Sequence, residues 1–129
     1  EVLQNILNKS KAENKIEDSN LITVQNEYAE TAKLTRNCIL ATKVSFLNEI
    51  NTFCEKKDIK YSKVRELMIL DPRIGESHTT VPGHDGEFGF GGTCFPKDLN
   101  ALVFKACELG IKTPVMEGAW KKNLEVRKK

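Results

Sequence analysis

No apolar run in these 129 residues approaches the roughly 20 residues that a bilayer-spanning helix requires, so no membrane-crossing segment is expected. No secretory leader is expected either, and the cytoplasm is the expected compartment. There is no large excess of one charge: 20 Lys and Arg stand against 18 Asp and Glu, and a net +2 gives too weak a field to imply nucleic-acid binding. The one local excess of cations, at Lys121, Lys122, Arg127, Lys128 and Lys129, reads as a solvated helix end. The four cysteines, at 38, 54, 94 and 107, include no C-x-x-C pair. Neither a disulfide framework nor a zinc site is expected from them, even with His78 and His84 counted as further ligands. A dinucleotide-binding turn is also missing. The glycines between Gly86 and Gly92 follow a loop, whereas a Gly-x-Gly-x-x-Gly phosphate turn lies between a strand and a helix. What is present is an ordinary globular composition, 40% apolar and 29% charged, long enough for one domain with a real core.

Apolar periodicity predicts a mainly α-helical fold. A short amphipathic helix covers residues 1–11, with Val2, Leu3, Ile6 and Leu7 on one side. Leu21-Ile22-Thr23-Val24 follows as a short β-prone run. One helix and one strand cannot form a sheet, so residues 1–25 read as the last α–β unit of a larger parallel sheet. A long helix is expected over 27–56, where glycine and proline are absent. Its two apolar rows, one containing Leu40, Val44 and Leu47 and the other Ile39, Phe46, Ile50 and Phe53, predict burial on more than one side. A helix over 58–70 is expected to turn Val64, Leu67 and Met68 inward, and Pro72 and Gly75 end it. Another runs over 99–110 with Gly110 as its C-cap. A last helix opens at Pro114 and carries Trp120, the only tryptophan, read as core. The organisation expected is thus a remnant at 1–25, a central helical domain at 26–112 and the start of a linker helix at 113–129.

Between the third and fourth of these helices lies a long loop rich in Gly, His, Thr and Pro. Loops of this length in compact domains are functional or disordered. Its end, Gly89-Phe90-Gly91-Gly92-Thr93-Cys94-Phe95-Pro96-Lys97-Asp98, is the most informative stretch of the chain. Three glycines in four positions allow close approach to the backbone, and one thiol follows at once, with a lysine and a carboxylate beside it. The arrangement suits a nucleophilic cysteine, since a nearby cation favours the reactive thiolate. It suits equally a glycine-rich turn before a helix whose cysteine packs as a small hydrophobe.

A resemblance favours the first reading. Residues 90–98 resemble the active-site segment of the UDP-glucose/GDP-mannose dehydrogenase family. Asn26-Glu27-Tyr28-Ala29-Glu30-Thr31-Ala32-Lys33-Leu34-Thr35-Arg36-Asn37 resembles the helix that supplies that family's catalytic lysine and asparagine, and Asp71-Pro72-Arg73-Ile74-Gly75 resembles its substrate-binding arginine segment. The three occur in the family's order. The resemblance implies oxidation of a nucleotide-sugar alcohol to an acid by NAD, nearer to the UDP-glucose branch, through a thioester on Cys94. Lys33 and Asn37 would stabilise an oxyanion and Asp98 would position water or accept protons. Arg73, Lys97, Phe90 and Gly91 would contact the substrate, Arg73 from a neighbouring subunit of a homodimer built on the central helices. NAD would be held mainly by a Rossmann domain outside this chain, so these residues alone are expected to be inactive. The stretch around His84 is longer than the family's loop. The alternative reading is a non-catalytic helical dimerisation module derived from the same family.

Overall fold

The computed structural model describes residues 1–127, and its chain divides into two compact units, Glu1–Glu30 and the remainder from Thr31. Five helices are found among the described residues: α1 (Val2–Ala12), α2 (Asn26–Lys56), α3 (Tyr61–Met68), α4 (Cys94–Glu108) and α5 (Pro114–Val126). No strand occurs among them, so the fold is mainly α. The expected strand at Leu21–Val24 is absent. Its residues are irregular and exposed, because a strand needs a neighbour for its N–H and C=O groups and none is present among the described residues. In the first unit, Gln4 Nε2 donates to the carbonyl of Ser19 at 2.6 Å and ties the segment after α1 back onto the helix.

The long helix α2 organises the second unit. Thirty-one residues without glycine or proline let it run unbroken. It stops where Asp58 turns left-handed at φ 54° and Ile59 N–H reaches back to the Cys54 carbonyl at 3.0 Å, a Schellman closure. Its buried face is Leu34, Cys38, Ala41, Ser45 and Asn48, alternating steps of four and three. Against it pack Phe90, Leu99, Met116 and Trp120 around Cys38 and Ala41. Further along, Leu47 and Cys54 meet Tyr61, Val64, Met68 and Val81. Ser45 Oγ donates to the Ala119 carbonyl at 2.7 Å and fixes α5 along this face.

Several expectations are corrected here. Ile39, Phe46 and Phe53 form an exposed row at seven-residue spacing, whereas Leu47 and Cys54, away from the Cys38 and Ala41 side, are buried, so α2 is covered on more than one side as expected but not along that row. Periodicity marks a face as apolar and does not say whether the same chain covers it. Leu67 points outward: the helix spans Tyr61–Met68 and its inward row is Tyr61, Val64 and Met68, at steps of three and four. The fourth helix starts at Cys94, five residues before the expected Leu99. Pro96 does not prevent this, since a proline in the first turn removes only an N–H that has no intrahelical acceptor. Gly110 caps α4 at φ 71° and Pro114 opens α5, both as expected.

Candidate active site

Asp98 lies at the junction of α2 and α4. One turn after Cys94 on α4, its side chain is 2% exposed and is met from α2 by Asn37, whose Nδ2 donates to Oδ2 at 2.6 Å. Lys97 Nζ donates to the other carboxylate oxygen at 2.5 Å. The Lys97 bond, the Asn37 bond and the nearby charges of Lys97 and Lys33 together hold the carboxyl below its ordinary range, against its burial. Asp98 raises the Lys97 ammonium in turn. Cys38 Sγ contacts the Asp98 carbonyl at 3.8 Å, and burial followed by the Asp98 charge pushes this thiol up. Lys33 is exposed one turn before Asn37, so four of the predicted residues, from both helices, share one electrostatic cluster.

Cys94 opens α4 and is exposed, with Thr93 Oγ1 4.0 Å from its sulfur. The loop before it is clasped from two helices. Asn48 Oδ1 of α2 accepts the Gly89 N–H at 3.2 Å. Asn123 of α5 accepts the Phe90 N–H on Oδ1 at 2.7 Å and donates from Nδ2 to the Phe90 carbonyl at 3.0 Å. Both asparagines are buried, and this amide pairs with the backbone as a neighbouring strand would. Two glycines are thereby explained. A Cβ at Gly89 would collide with Asn123 Oδ1, and one at Gly91 would collide with the guanidinium of Arg127. Gly89 also sits at φ 70°.

Arg127 corrects the reading of the basic cluster. Its side chain is 25% exposed, and Nη2 donates to Asp85 Oδ2 at 2.7 Å, which is the main cause of Asp85's lowered carboxyl. Lys122 is also partly covered and lies 3.5 Å from Glu125. Lys128 and Lys129 lie outside the described residues. The loop residues around His84 form a closed turn, with Gly83 N–H bonded to the Glu87 carbonyl at 2.8 Å and Asp85 accepting the Glu87 N–H.

A cleft of about 260 Å³ opens beside this loop, walled by His78, Thr80, His84, Phe90, Gly91 and Phe95 among others. The Phe90 side chain is buried and its backbone is taken by Asn123, so it can serve the cleft only as a wall. His78 adopts φ 60° and lays its ring 5.4 Å from that of Phe95, the residue after Cys94. Burial first, then the charges of Lys43 and His84, push its imidazole below the ordinary value.

Arg73 lies elsewhere. It does not line the cleft, and its guanidinium is chelated by Asp71, with Nε–Oδ1 at 3.0 Å and Nη2–Oδ2 at 2.6 Å. Its largely exposed side chain borders a groove of about 510 Å³ with Ile39, Phe46, Met68 and Ile74. Asn48, Asn123 and Lys43 escaped the sequence reading. Only the two glycines hinted that something packs on the loop, and glycine does not say what.

This geometry accords with comparison to known proteins. The profile described as the UDP-glucose/GDP-mannose dehydrogenase family, central domain, matches residues 27–125. UDP-glucose 6-dehydrogenase TuaD of Bacillus subtilis is 37% identical over 107 residues, 83% of this chain and 22% of that protein. YwqF of the same organism, also a UDP-glucose 6-dehydrogenase by name, is 45% identical over 75 residues, 58% of this chain and 16% of that protein. GDP-mannose 6-dehydrogenase of Pseudomonas putida is 33% identical over 107 residues, 82% of this chain and 24% of its own length. The chain therefore spans about a quarter or less of the length of these relatives. With the profile matching 99 of its 129 residues, the chain belongs to the UDP-glucose/GDP-mannose dehydrogenase family, of which it carries the central domain.

Proposed function

We propose that this chain supplies the nucleophile, its supporting cluster and a dimer interface to an NAD-dependent nucleotide-sugar dehydrogenase acting on UDP-glucose. The observation that carries the reading is the Asn37–Asp98 bond, which joins the two sequence motifs across α2 and α4 one turn from Cys94. The described residues contain no strand–glycine turn–helix that fits a dinucleotide, so the cofactor would be held by residues outside this chain. When bound there, NAD accepts the hydride removed at each oxidation.

The chain's own residues perform the rest. The Cys94 thiolate adds to the aldehyde carbon, forming a C–S bond while the carbonyl π electrons move to oxygen. At the start of α4 the backbone N–H groups lack intrahelical acceptors and favour negative charge. Lys33 adds a fixed cation for that oxyanion, and Asn37 a hydrogen-bond donor. After oxidation to the thioester, water adds to the carbonyl carbon, the C–S bond breaks and the thiolate leaves the acid. Asp98, a carboxylate held in place by its bonds from Lys97 and Asn37, would orient that water and accept its proton. Lys97 is bonded to Asp98 and acts through it. Gly91 and the Phe90 wall bound the cleft that would take the substrate. The outward, chelated Arg73 suits contact with substrate held by a second copy, and the exposed Ile39–Phe46–Phe53 row suits α2 against α2 of that copy.

The test uses the full-length protein with NAD and either UDP-glucose or GDP-mannose, reading both NADH and the sugar acid. UDP-glucose is expected to yield two NADH per acid, and Cys94→Ala is expected to abolish acid formation with the fold intact. Acid formation unchanged in Cys94→Ala would reject the assignment, and preference for GDP-mannose would reject the substrate.

A further inference from the structure

Of the three lysines of α2, Lys33, Lys43 and Lys56, the second has an ammonium that the proposed reaction does not use and that main-chain oxygens surround. Lys43 Nζ donates to three main-chain carbonyls at once: Ile74 at 2.8 Å, Ser77 at 2.7 Å and, more weakly, Gly75 at 3.4 Å. An ammonium has three donors and no acceptor, so these three oxygens match its whole capacity. Carbonyl dipoles that converge on one point repel each other unless a cation lies between them. The backbone that brings them together is itself unusual, being left-handed at Gly75, φ 67°, and again at His78, φ 60°. Non-glycine residues hold that conformation only where their surroundings impose it.

We propose that Lys43 is a positioning residue, a cationic pin that fixes the 74–78 loop to the helix carrying Lys33 and Asn37 and so orients substrate-binding groups on both sides of that loop. On one side is Arg73, immediately before the first pinned carbonyl. On the other is His78, immediately after the last, with its ring against Phe95 and in the wall of the cleft. Lys43 sits six residues beyond Asn37 on α2, so one rigid helix sets the register of the catalytic pair and of the loop together. Thr79 Oγ1, bonded to the Glu76 carbonyl at 2.6 Å and accepting from Arg65 Nε at 2.8 Å, closes the same loop from α3 and leaves Lys43 as its tie to α2. The consequence for substrate rests on the proposed function, whereas the pin itself does not.

The test compares Lys43→Met and Lys43→Arg with the wild type in the full-length protein, by amide hydrogen exchange and by steady-state kinetics. Lys43→Met is expected to speed exchange within residues 74–80 while leaving α4 and α5 protected. It should also raise KM for the nucleotide sugar about tenfold with kcat and the KM for NAD nearly unchanged, the pattern of lost ground-state positioning. Lys43→Arg, which keeps a charge and several donors, should restore most of both. Exchange over 74–80 unchanged in Lys43→Met would overturn the pin whatever the kinetics. Faster exchange with an unchanged sugar KM would overturn its role in positioning substrate. If Lys43→Met does not fold, Lys43→Gln, which keeps two donors, takes its place with the same expectations. A wild type that oxidises no nucleotide sugar refutes the proposed function, and the exchange result alone then decides the pin.

Discussion

Asn123→Ala should be among the most destabilising single changes in this protein, and the structure sets its size. The Asn123 amide is buried and makes two bonds to one residue, Phe90, at 2.7 and 3.0 Å. Each such bond contributes roughly 0.5–1.5 kcal/mol net, and a buried backbone group left without its partner costs about 1–3 kcal/mol. Alanine removes both partners and strands the Phe90 N–H and C=O together. Some of that cost is relieved where water enters the space, so a loss of about 2–5 kcal/mol is expected. Asn123→Asp should fall between, since it still accepts from the N–H but sets a carboxylate beside the Phe90 carbonyl. Urea unfolding should show the loss as a lower midpoint with an unchanged slope. Gly89→Ala supplies the second arm of a cycle. It should cost about 1–2 kcal/mol for the left-handed backbone alone, with the collision against Asn123 Oδ1 added. In an Asn123→Ala background the collision disappears, so the two changes should couple by roughly 1 kcal/mol or more. Strict additivity, or Asn123→Ala within about 0.5 kcal/mol of wild type, would refute the clasp.

Three further outcomes follow from packing and charge. Leu99→Ala, at a fully buried position beside Ala41 and Phe90, should cost about 2–5 kcal/mol in urea unfolding, and a loss below about 1 kcal/mol would contradict the core described. His78 has a folded pKa below its unfolded value of about 6.5, so the unfolded chain takes the proton first. Its contribution is therefore present above about pH 6.5 and lost as pH falls through the folded value, a loss that His78→Phe should remove from the pH–stability profile. Phe46→Glu, in the exposed row of α2, should shift sedimentation from dimer to monomer with little change in helicity, and an unchanged mass would exclude that row as the interface.

What the sequence made legible was local. A glycine- and proline-free stretch with an apolar period near 3.6 reads as one unbroken helix, and Pro114 and Gly110 punctuate by backbone geometry alone. Lys33, Asn37, Cys94 and Asp98 stood out because the order of the motifs is a property of the chain, although only coordinates bring Asn37 and Asp98 to 2.6 Å. Composition could not say which apolar rows the chain itself would cover, and so Ile39, Phe46, Phe53 and Leu67 were misplaced. Nor could it show that Arg127 is covered, because its partner, Asp85, lies 42 residues away. The residues that hold the segment between α3 and α4, Asn48, Asn123 and Lys43, look like surface polar residues until the backbone groups they satisfy are seen. Side chains that pair with distant main chain leave no periodic trace.

The most direct test of the account is to look for acyl chemistry on Cys94 itself. Full-length protein mixed with UDP-glucose and NAD, quenched in acid before hydrolysis is complete and digested, should yield a Cys94 peptide heavier by the nucleotide-sugar acyl group. Hydroxylamine should release that mass, and Asp98→Asn should increase it by slowing hydrolysis. A Cys94 peptide that stays unmodified during turnover, with Asp98→Asn leaving the rate unchanged, would contradict the claim that this junction of α2 and α4 is where the reaction occurs.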